Sequence, residues 1–490
     1  MTTTNLQSAG DLTHRRRLLV LAICCLSLLV VGMDVTIVNV ALPSIRTDLG
    51  ASVSGLQWII DAYTVVLASL LILSGSTADR LGRRRTFQLG LVIFSLGSLL
   101  CGVAPGLGWL IGFRMLQAVG GSMLNPVALS IITNVFIDPR ERARAIGVWA
   151  GVVGISLGLG PVLGGLLVET IGWRSIFWVN VPIGVVAFVL AALFVPESRA
   201  ERARRVDPVG QVLVIVLLVS LTYAIIETPR AGASWEIWAA AALCVVALGT
   251  LLRYESRRVD PLIELTFFRS IPFAAATVTA VCAFGGFSAF LFLNTLYLQD
   301  VRGLSALHAG LFLLPMAAMT VVFAPISGRI VGSRGPRVPL VIAGTAMFVG
   351  ALPMTGLTDH VAYGWLLACF LAFGLGFGMV NTPITNAAVS GMPRSQAGVA
   401  AAVASTSRQV GATLGVAIVG AVVSSGAGAG IRTQFAQASH RGWWIVVGDA
   451  AAVFVLAWVS TGRRARRSAS KVAHLLDDAA DAEAPATVTR

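Results

Sequence analysis

The chain has 490 residues, 56% of them hydrophobic and only 12% charged, with mean hydropathy +0.83 and a formal net charge of +13. Soluble globular chains carry about a quarter charged residues, so this composition excludes a disordered protein, a secreted disulfide scaffold and an ordinary cytosolic enzyme. The apolar residues come in long runs: Leu18–Val31 and Val209–Ile226 carry no charge, and Trp443–Val459 carries one, Asp449. Runs near 20 residues match the ~30 Å hydrocarbon layer of a bilayer. Their length predicts helices rather than the ~10-residue alternating strands of a barrel.

In chain order, fourteen candidate spans are centred near residues 28, 65, 96, 123, 157, 185, 217, 244, 285, 318, 347, 376, 410 and 452. The least distinct are the Gly-rich span near 157 and the boundaries around 255–272. Positive charge in short loops stays cytoplasmic. Of the 36 Lys and Arg residues, Arg46, Arg174, Arg230, Arg302, Arg432 and Arg441 fall on one side and Arg114 and Arg408 within spans, which leaves 28 on the side of both termini. The pattern predicts a multi-pass protein of the cell (inner or cytoplasmic) membrane with both termini cytoplasmic. The net charge is then a topogenic arginine excess, and the expected partner is the lipid bilayer, with no nucleic acid.

The segment before Leu18, with His14 and Arg15–Arg17, runs into a full-length span without a small-residue cleavage site, so a retained first helix is expected. The basic run Arg463–Arg467 is expected against anionic headgroups, and the Ala/Asp-rich end after Lys471 as a disordered tail. All six cysteines (Cys24, Cys25, Cys101, Cys244, Cys282, Cys369) fall in or beside spans and read as small apolar packing residues without a disulfide.

Between spans 2 and 3 the chain reads Gly75-Ser-Thr-Ala-Asp79-Arg80-Leu-Gly82-Arg83-Arg84-Arg85, and between spans 10 and 11 Gly328-Arg329-Ile-Val-Gly332-Ser-Arg334-Gly335-Pro336-Arg337. A constant offset of 253 aligns Gly75 with Gly328, Gly82 with Gly335 and Arg84 with Arg337, while Gly332 stands opposite Asp79. Two six-helix halves, spans 1–6 and 9–14, with spans 7 and 8 as an inserted hairpin, account for both loops. Internal duplication around a midplane site is the architecture of alternating-access carriers.

The G-x-x-x-D-R-x-G-R-R pattern resembles the signature loop of the major facilitator superfamily. Four further stretches sharpen the likeness: Asp34-Val-Thr36-Ile-Val-Asn39-Val-Ala41-Leu-Pro43, Gln57-Trp58-Ile-Ile-Asp61-Ala-Tyr63, Arg114-Met-Leu-Gln117-Ala-Val-Gly120-Gly121, and Gly154-Ile-Ser-Leu-Gly158-Leu-Gly160-Pro161-Val-Leu-Gly164-Gly165. With fourteen spans, this ordered set resembles the fourteen-helix drug:proton antiporters from about Leu18 to Gly462. The implied fold class is an all-α polytopic membrane protein with the major facilitator fold, two six-helix bundles plus an inserted two-helix hairpin. The expected divisions are a cytoplasmic segment 1–17, a first bundle 18–198, the hairpin with its linkers 199–270, a second bundle 271–462 and a basic tail 463–490. In that family the span-5 glycine pattern is associated with antiport. Some members that export dications carry an acid in span 10, near Thr320 of this chain, so the likeness favours monovalent or neutral lipophilic compounds.

Physical roles follow from residue type and depth. Asp79 with Arg80, Arg83 and Arg84, spaced by Gly75 and Gly82, is expected to latch neighbouring helices in one access state; positive-inside charge alone explains the arginines but neither the acid nor the glycines. Gly154, Gly158, Gly160, Gly164 and Gly165 around Pro161 are expected to let helices approach closely and bend. The same stretch spells G-x-S-x-G, but no strand-to-helix turn or partnered acid and histidine supports a hydrolase there. A carboxylate inside a span is costly unless paired, cavity-facing or protonated. With Pro43 and Ser54 marking the outer ends of their helices, Asp34, nine residues before Pro43, and Asp61, seven after Ser54, are expected roughly 10–14 Å below those ends, at about the depth of Arg114. A carboxyl whose surroundings alternate between an apolar pocket and an arginine can load and release a proton near neutral pH. Asp34 with Arg114 is therefore the expected proton-coupling element, and Asp61 assists or contacts a cationic substrate. Static structural ion pairing is the alternative for both.

Neutral polar groups among aromatics and methionines suit an amphipathic ligand of loose specificity. The candidates are Asn39, Trp58, Tyr63 and Gln117 in the first half and Asn294, Tyr297, Asn381 and Asn386 in the second. Asp449 and Arg408 are expected to be structural or water-facing, with Arg408 able to snorkel. No G-x-x-x-x-G-K-[ST] loop occurs, Lys471 is the only lysine, and the five histidines form no metal motif. The reading is a monomeric, proton-coupled exporter of amphipathic small molecules (drugs, antibiotics, lipophilic cations), driven by a proton gradient, with no cofactor, no metal and no enzymatic activity. A carrier of one metabolite, exporter or importer, and a membrane-embedded enzyme or sensor stay open as alternatives.

Overall fold

The structure, a computed structural model, describes residues 13–199, 207–232, 234–258, 261–389, 397–427 and 431–482. Among these no strand occurs, and fourteen helices are long and apolar enough to cross a membrane. The first six spans are α1 (His14–Leu49), α2 (Val53–Leu81), α3 (Arg83–Gly102), α4 (Leu107–Val135), α5 (Pro139–Thr170) and the broken pair α6 (Ser175–Trp178) and α7 (Asn180–Phe194). Then come α8 (Pro208–Ala231) and α9 (Trp235–Glu255). The last six spans are α10 (Ile271–Leu296), with a π-helical turn over Tyr297–Val301, α11 (Ala306–Arg334), α12 (Arg337–Ala351), α13 (Tyr363–Val389), α14 (Ala397–Ala427) and α15 (Ile431–Val459). The final helix is α16 (Arg463–Ala482).

Lipid offers backbone groups no partner, so spanning segments close their hydrogen bonds internally, and the ends are capped locally. Ser52 Oγ accepts from the Gly55 amide at 3.1 Å, and Asp138 Oδ1 accepts from the Arg140 and Glu141 amides at 2.9 Å with Pro139 at the first helical position.

Duplication is visible in the packing. In the first half α1 packs on α5, α3 on α4, α2 on α4 and α3 on α7; in the second, α10 packs on α14, α12 on α13, α11 on α13 and α12 on α15. The halves meet through α5 against α11 and α2 against α14, two seams that exchange under the same correspondence. The repeated loops also match. Gly82 and Gly335 both end a helix at positive φ, 110° and 78°, and their amides donate to Ala78 and Val331. A side chain at either position would be strained.

The α8–α9 hairpin lies outside both halves, with α8 against α2 and α14. Gln211 Nε2 donates to the Ser69 carbonyl at 2.5 Å.

Two expectations need correction. Helix α1 does not end near Pro43 but runs through it to Leu49, because a proline whose freed carbonyl is packed inside a bundle is tolerated. Asp34 is thus fifteen residues from the helix end, about 22 Å at 1.5 Å per residue. The tail is helical as far as Ala482 rather than disordered. Ala465, Ala469 and Val472 recur at helical spacing and are buried, Val472 in a cluster with Phe267, just before α10, and Phe273, at its start, while Arg463, Arg464, Arg466 and Arg467 stay exposed. Ser468 Oγ accepts from the Ile271 amide at 3.0 Å.

Candidate functional site

A polar network occupies the interior of the first half. Asp34 on α1 is fully buried, and its Oδ2 meets Arg114 Nη1 of α4 at 2.5 Å. Its Oδ1 accepts from Gln117 Nε2 at 2.8 Å and from Asn180 Nδ2 at 2.9 Å. Both amides also donate to Ser98 Oγ at 3.1 Å, and Ser98 donates to the Phe177 carbonyl at 2.8 Å. Arg114 further donates to Gln117 Oε1 at 2.7 Å and to the Ile59 carbonyl at 3.3 Å, and its guanidinium lies 4.1 Å from the Tyr63 ring centroid. Arg114 therefore meets a carboxylate, an amide, a carbonyl and an aromatic face. A buried ion pair survives desolvation only when its remaining valences are satisfied in this way.

Asp61 shares this level but not this network. Ile59 and Tyr63, both in contact with Arg114, flank it in sequence, so at 100° per residue its side chain points about 200° away from theirs. Along its own face, Gln57 Nε2 donates to the Val416 and Ala417 carbonyls at 3.2 and 2.8 Å, and Thr413 Oγ1 donates to Thr64 Oγ1 at 2.8 Å. Asp61 thus faces α14 across the seam between halves. It is fully buried, and neither carboxyl oxygen has a hydrogen-bond partner among the described residues. Helix α2 separates the satisfied acid from the orphan.

The glycines of α5 form two tracks. Gly160 and Gly164 leave room for Thr36 and Ile37 of α1, in the same half. Gly154, Gly158 and Gly165 press on Val321, Ala317 and the Ala306–Leu307 backbone of α11, in the other half, and the Pro161 carbonyl fills the space a side chain on Gly310 would need. On the side away from the termini the halves are also tied by Arg46 to Asp300 at 2.7 Å, Gln299 Nε2 to the Val40 carbonyl at 2.8 Å and Ser305 Oγ to Glu169 at 3.0 Å.

In the signature loop Asp79 pairs with Arg83 at 3.3 Å, one turn on. The organising acid is Glu197, after α7: it accepts from the Arg84 amide at 3.2 Å and lies 3.9 and 3.7 Å from the side chains of Arg84 and Arg85. It also fills the space beside Gly82, whereas a side chain at Gly75 would meet nothing within 4 Å. Arg80 lies in the last turn of α2.

The proposed ligand contacts scatter. Gln117 and Tyr63 belong to the Asp34 network. Trp58 faces the hairpin, its indole donating to Glu227 of α8 at 2.8 Å. Tyr297 donates to the Thr358 carbonyl at 2.6 Å near the outer end of α10, and Asn386 is exposed. Asn39, Asn294 and Asn381, on α1, α10 and α13, each keep a buried side-chain oxygen without a partner among the described residues. Asp449 faces Gly285 and Gly286 of α10. Asn180, Ser98 and Glu197 escaped the sequence reading. The available signals were a lone amide in the apolar stretch of span 6 and an acid in an arginine-rich flank.

Residues 24–416 match the family described as the Major Facilitator Superfamily. The chain is 36% identical over 419 residues to the multidrug resistance protein Stp of Mycobacterium tuberculosis, covering 84% of this chain and 77% of that one. It is 36% identical over 413 residues to the tetracenomycin C resistance and export protein of Streptomyces glaucescens, with the same coverage. It is 33% identical over 413 residues to the multidrug efflux pump LfrA of Mycolicibacterium smegmatis, covering 84% and 82%. A crystal structure of a bacterial homologue of the human lysosomal transporter Spinster, inward-facing and occupied, matches with TM-score 0.64 at 18% identity, covering 94% of this chain and 99% of that one. At that identity the last likeness concerns the fold alone.

Proposed function

Since the chain belongs to the Major Facilitator Superfamily, we propose that it is a proton-coupled secondary exporter of amphipathic small molecules, working by alternating access as a monomer in the cytoplasmic membrane. The observation that carries this reading is the pair of buried carboxyls on either side of α2, one fully bonded and the other without a hydrogen-bond partner among the described residues. The tetracenomycin C resistance and export protein and the efflux pump LfrA, 36% and 33% identical over 84% of the chain, support the direction of transport.

With both termini cytoplasmic, the Arg46–Asp300, Gln299–Val40 and Ser305–Glu169 contacts lie on the extracellular side, so this conformation is closed to the outside. In it Asp34 is held as an anion by one guanidinium and two amides. An orphan carboxylate at the depth of Asp61 costs several kcal/mol unless it takes up a proton, so Asp61 carries the proton here. Reopening toward the outside separates α2 from α14, wets Asp61 and loosens the Arg114 contacts to α2, which lets Asp34 accept a proton in turn. The α5 glycine tracks act as the bearing between halves, and the Asp79–Arg83 and Glu197 contacts hold the cytoplasmic ends of α2, α3 and α7 during the motion. The orphan oxygens of Asn39, Asn294 and Asn381 offer the cargo polar contacts, and no cofactor enters the cycle.

The test is transport by purified protein in liposomes with an imposed pH gradient, using a cationic dye, a neutral antibiotic and an amino acid. Dye accumulation that follows the gradient and collapses with a protonophore is expected. Movement of one amino acid only, or dye movement indifferent to the gradient, would contradict the proposal.

A further inference from the structure

A cation in the second half plays no part in the scheme above. Arg408 lies eleven residues into α14, and its guanidinium reaches across to α13 four residues before Val389, where that helix ends. Nη1 donates to Thr385 Oγ1 of α13 at 3.3 Å, and the guanidinium carbon lies 6.0 Å from the ring centroid of Phe284, thirteen residues into α10. Among the described residues it has no ion-pair partner. That differs from Arg114, which is ion-paired, and from the arginines outside the spans, which water can solvate.

The direction of the group is set by α10. Gly286 faces Asp449 of α15 and Met347 of α12. Phe284, two residues earlier, lies about 200° round the helix from Gly286 and so faces away from both, toward α13 and its Phe377 ring. Arg408 crosses that same face of α10 to reach α13. One turn before Thr385, Asn381 keeps its orphan Oδ1, and behind Phe284 the Phe377 ring lies 5.1 Å away and itself stacks on Phe287 at 4.0 Å. The Arg408 side chain is partly exposed rather than sealed in the packing. An ionisable side chain inside a span that lacks a protein partner is matched either by water or by what the protein binds.

We infer that Arg408, with Thr385 and the Phe284–Phe377 wall, is a binding subsite for the acidic group of the cargo, so that the transported compounds include amphipaths carrying a carboxylate or ionised phenol on an aromatic body. A guanidinium supplies the charge-assisted, directional contact such a group requires, and the rings supply flat apolar surface for the body. The inference rests on the export reading for its physiological meaning but not for its test, which is equilibrium binding without transport.

The experiment compares two xanthene dyes of similar shape and opposite charge, fluorescein and rhodamine 6G, binding to purified wild-type protein and to Arg408→Ala, Arg408→Lys and Thr385→Ala. Wild-type protein is expected to bind fluorescein, and Arg408→Ala to weaken it about tenfold or more, the scale of one charge-assisted contact. Arg408→Lys should keep part of that affinity, Thr385→Ala should lose a few-fold, and rhodamine 6G should change by less than about twofold throughout. Should Arg408→Ala fail to fold, Arg408→Lys and Thr385→Ala still decide the matter through the same contrast between dyes. Equal weakening of both dyes, unchanged fluorescein affinity in the variants, or no fluorescein binding to the wild type would each overturn the subsite. Binding as expected without pH-driven transport would instead sink the export reading and leave the subsite standing.

Discussion

The two halves share a scaffold and differ in what fills it. The offset that aligns the repeated loops puts Phe287 of α10 opposite Asp34 of α1. In the first half that position anchors a guanidinium and two amides, and the amides share the Ser98 hydroxyl. In the second the neighbourhood is aromatic: Phe287 on Phe377 at 4.0 Å, Phe290 on Phe373 at 4.1 Å, and the Trp443 ring edge-on to Phe290 at 5.5 Å. A helical repeat fixes which helices touch, but the same contact is met by charge or by ring stacking. Their failure modes differ. Removing part of a buried charge network leaves an uncompensated charge behind, whereas removing a ring leaves a cavity.

The contrast is broken most severely by Arg114→Ala, which leaves Asp34 with two amide donors. A loss of about 3–5 kcal/mol is expected, read as a large drop in the thermal unfolding midpoint of detergent-solubilised protein. An unshifted midpoint would mean that the network carries no stability. Phe290→Ala tests the other half and should cost about 3 kcal/mol from lost ring contacts and the void. Unlike Arg114→Ala, it should leave proton coupling in the surviving folded fraction intact. If Phe290→Ala uncouples transport, the division of labour between halves is wrong.

Smaller effects are expected at the signature loop between α2 and α3, where the partners are partly exposed. Glu197→Ala removes the acceptor of the Arg84 amide and the counter-charge of two arginines, so it should slow dye export several-fold. Asp79→Asn breaks one i,i+4 pair and should change stability by about 0.5 kcal/mol or less, with a smaller fall in turnover. Equal rates for both variants would remove Glu197 from the centre of that loop.

Much of this architecture is legible in sequence because the bilayer imposes a length on every helix. All fourteen expected centres fall inside helices, and the loop offset reappears as Gly82 and Gly335 with matching conformations. Asp34 and Arg114 could be brought together from depth alone, since ionisable residues in lipid have few stable places to go. Direction was less accessible. Asp61 lies within one turn of the residues that touch Arg114, yet a 200° rotation sends it across the seam, and only the packing of α2 decides that. Trp58 turns to the hairpin for the same reason. Asn180 and Ser98 carry no charge to mark them, and the α16 helix is ordered by three small buried residues among arginines that read as solvated.

The most direct test concerns the two acids on either side of α2. Antiport in liposomes is compared for wild type, Asp34→Asn and Asp61→Asn, measuring gradient-driven dye accumulation and gradient-free dye exchange in each. The account predicts that Asp34→Asn loses accumulation but keeps exchange, and that Asp61→Asn remains folded with weakened accumulation. Full gradient-driven accumulation by Asp34→Asn would contradict it.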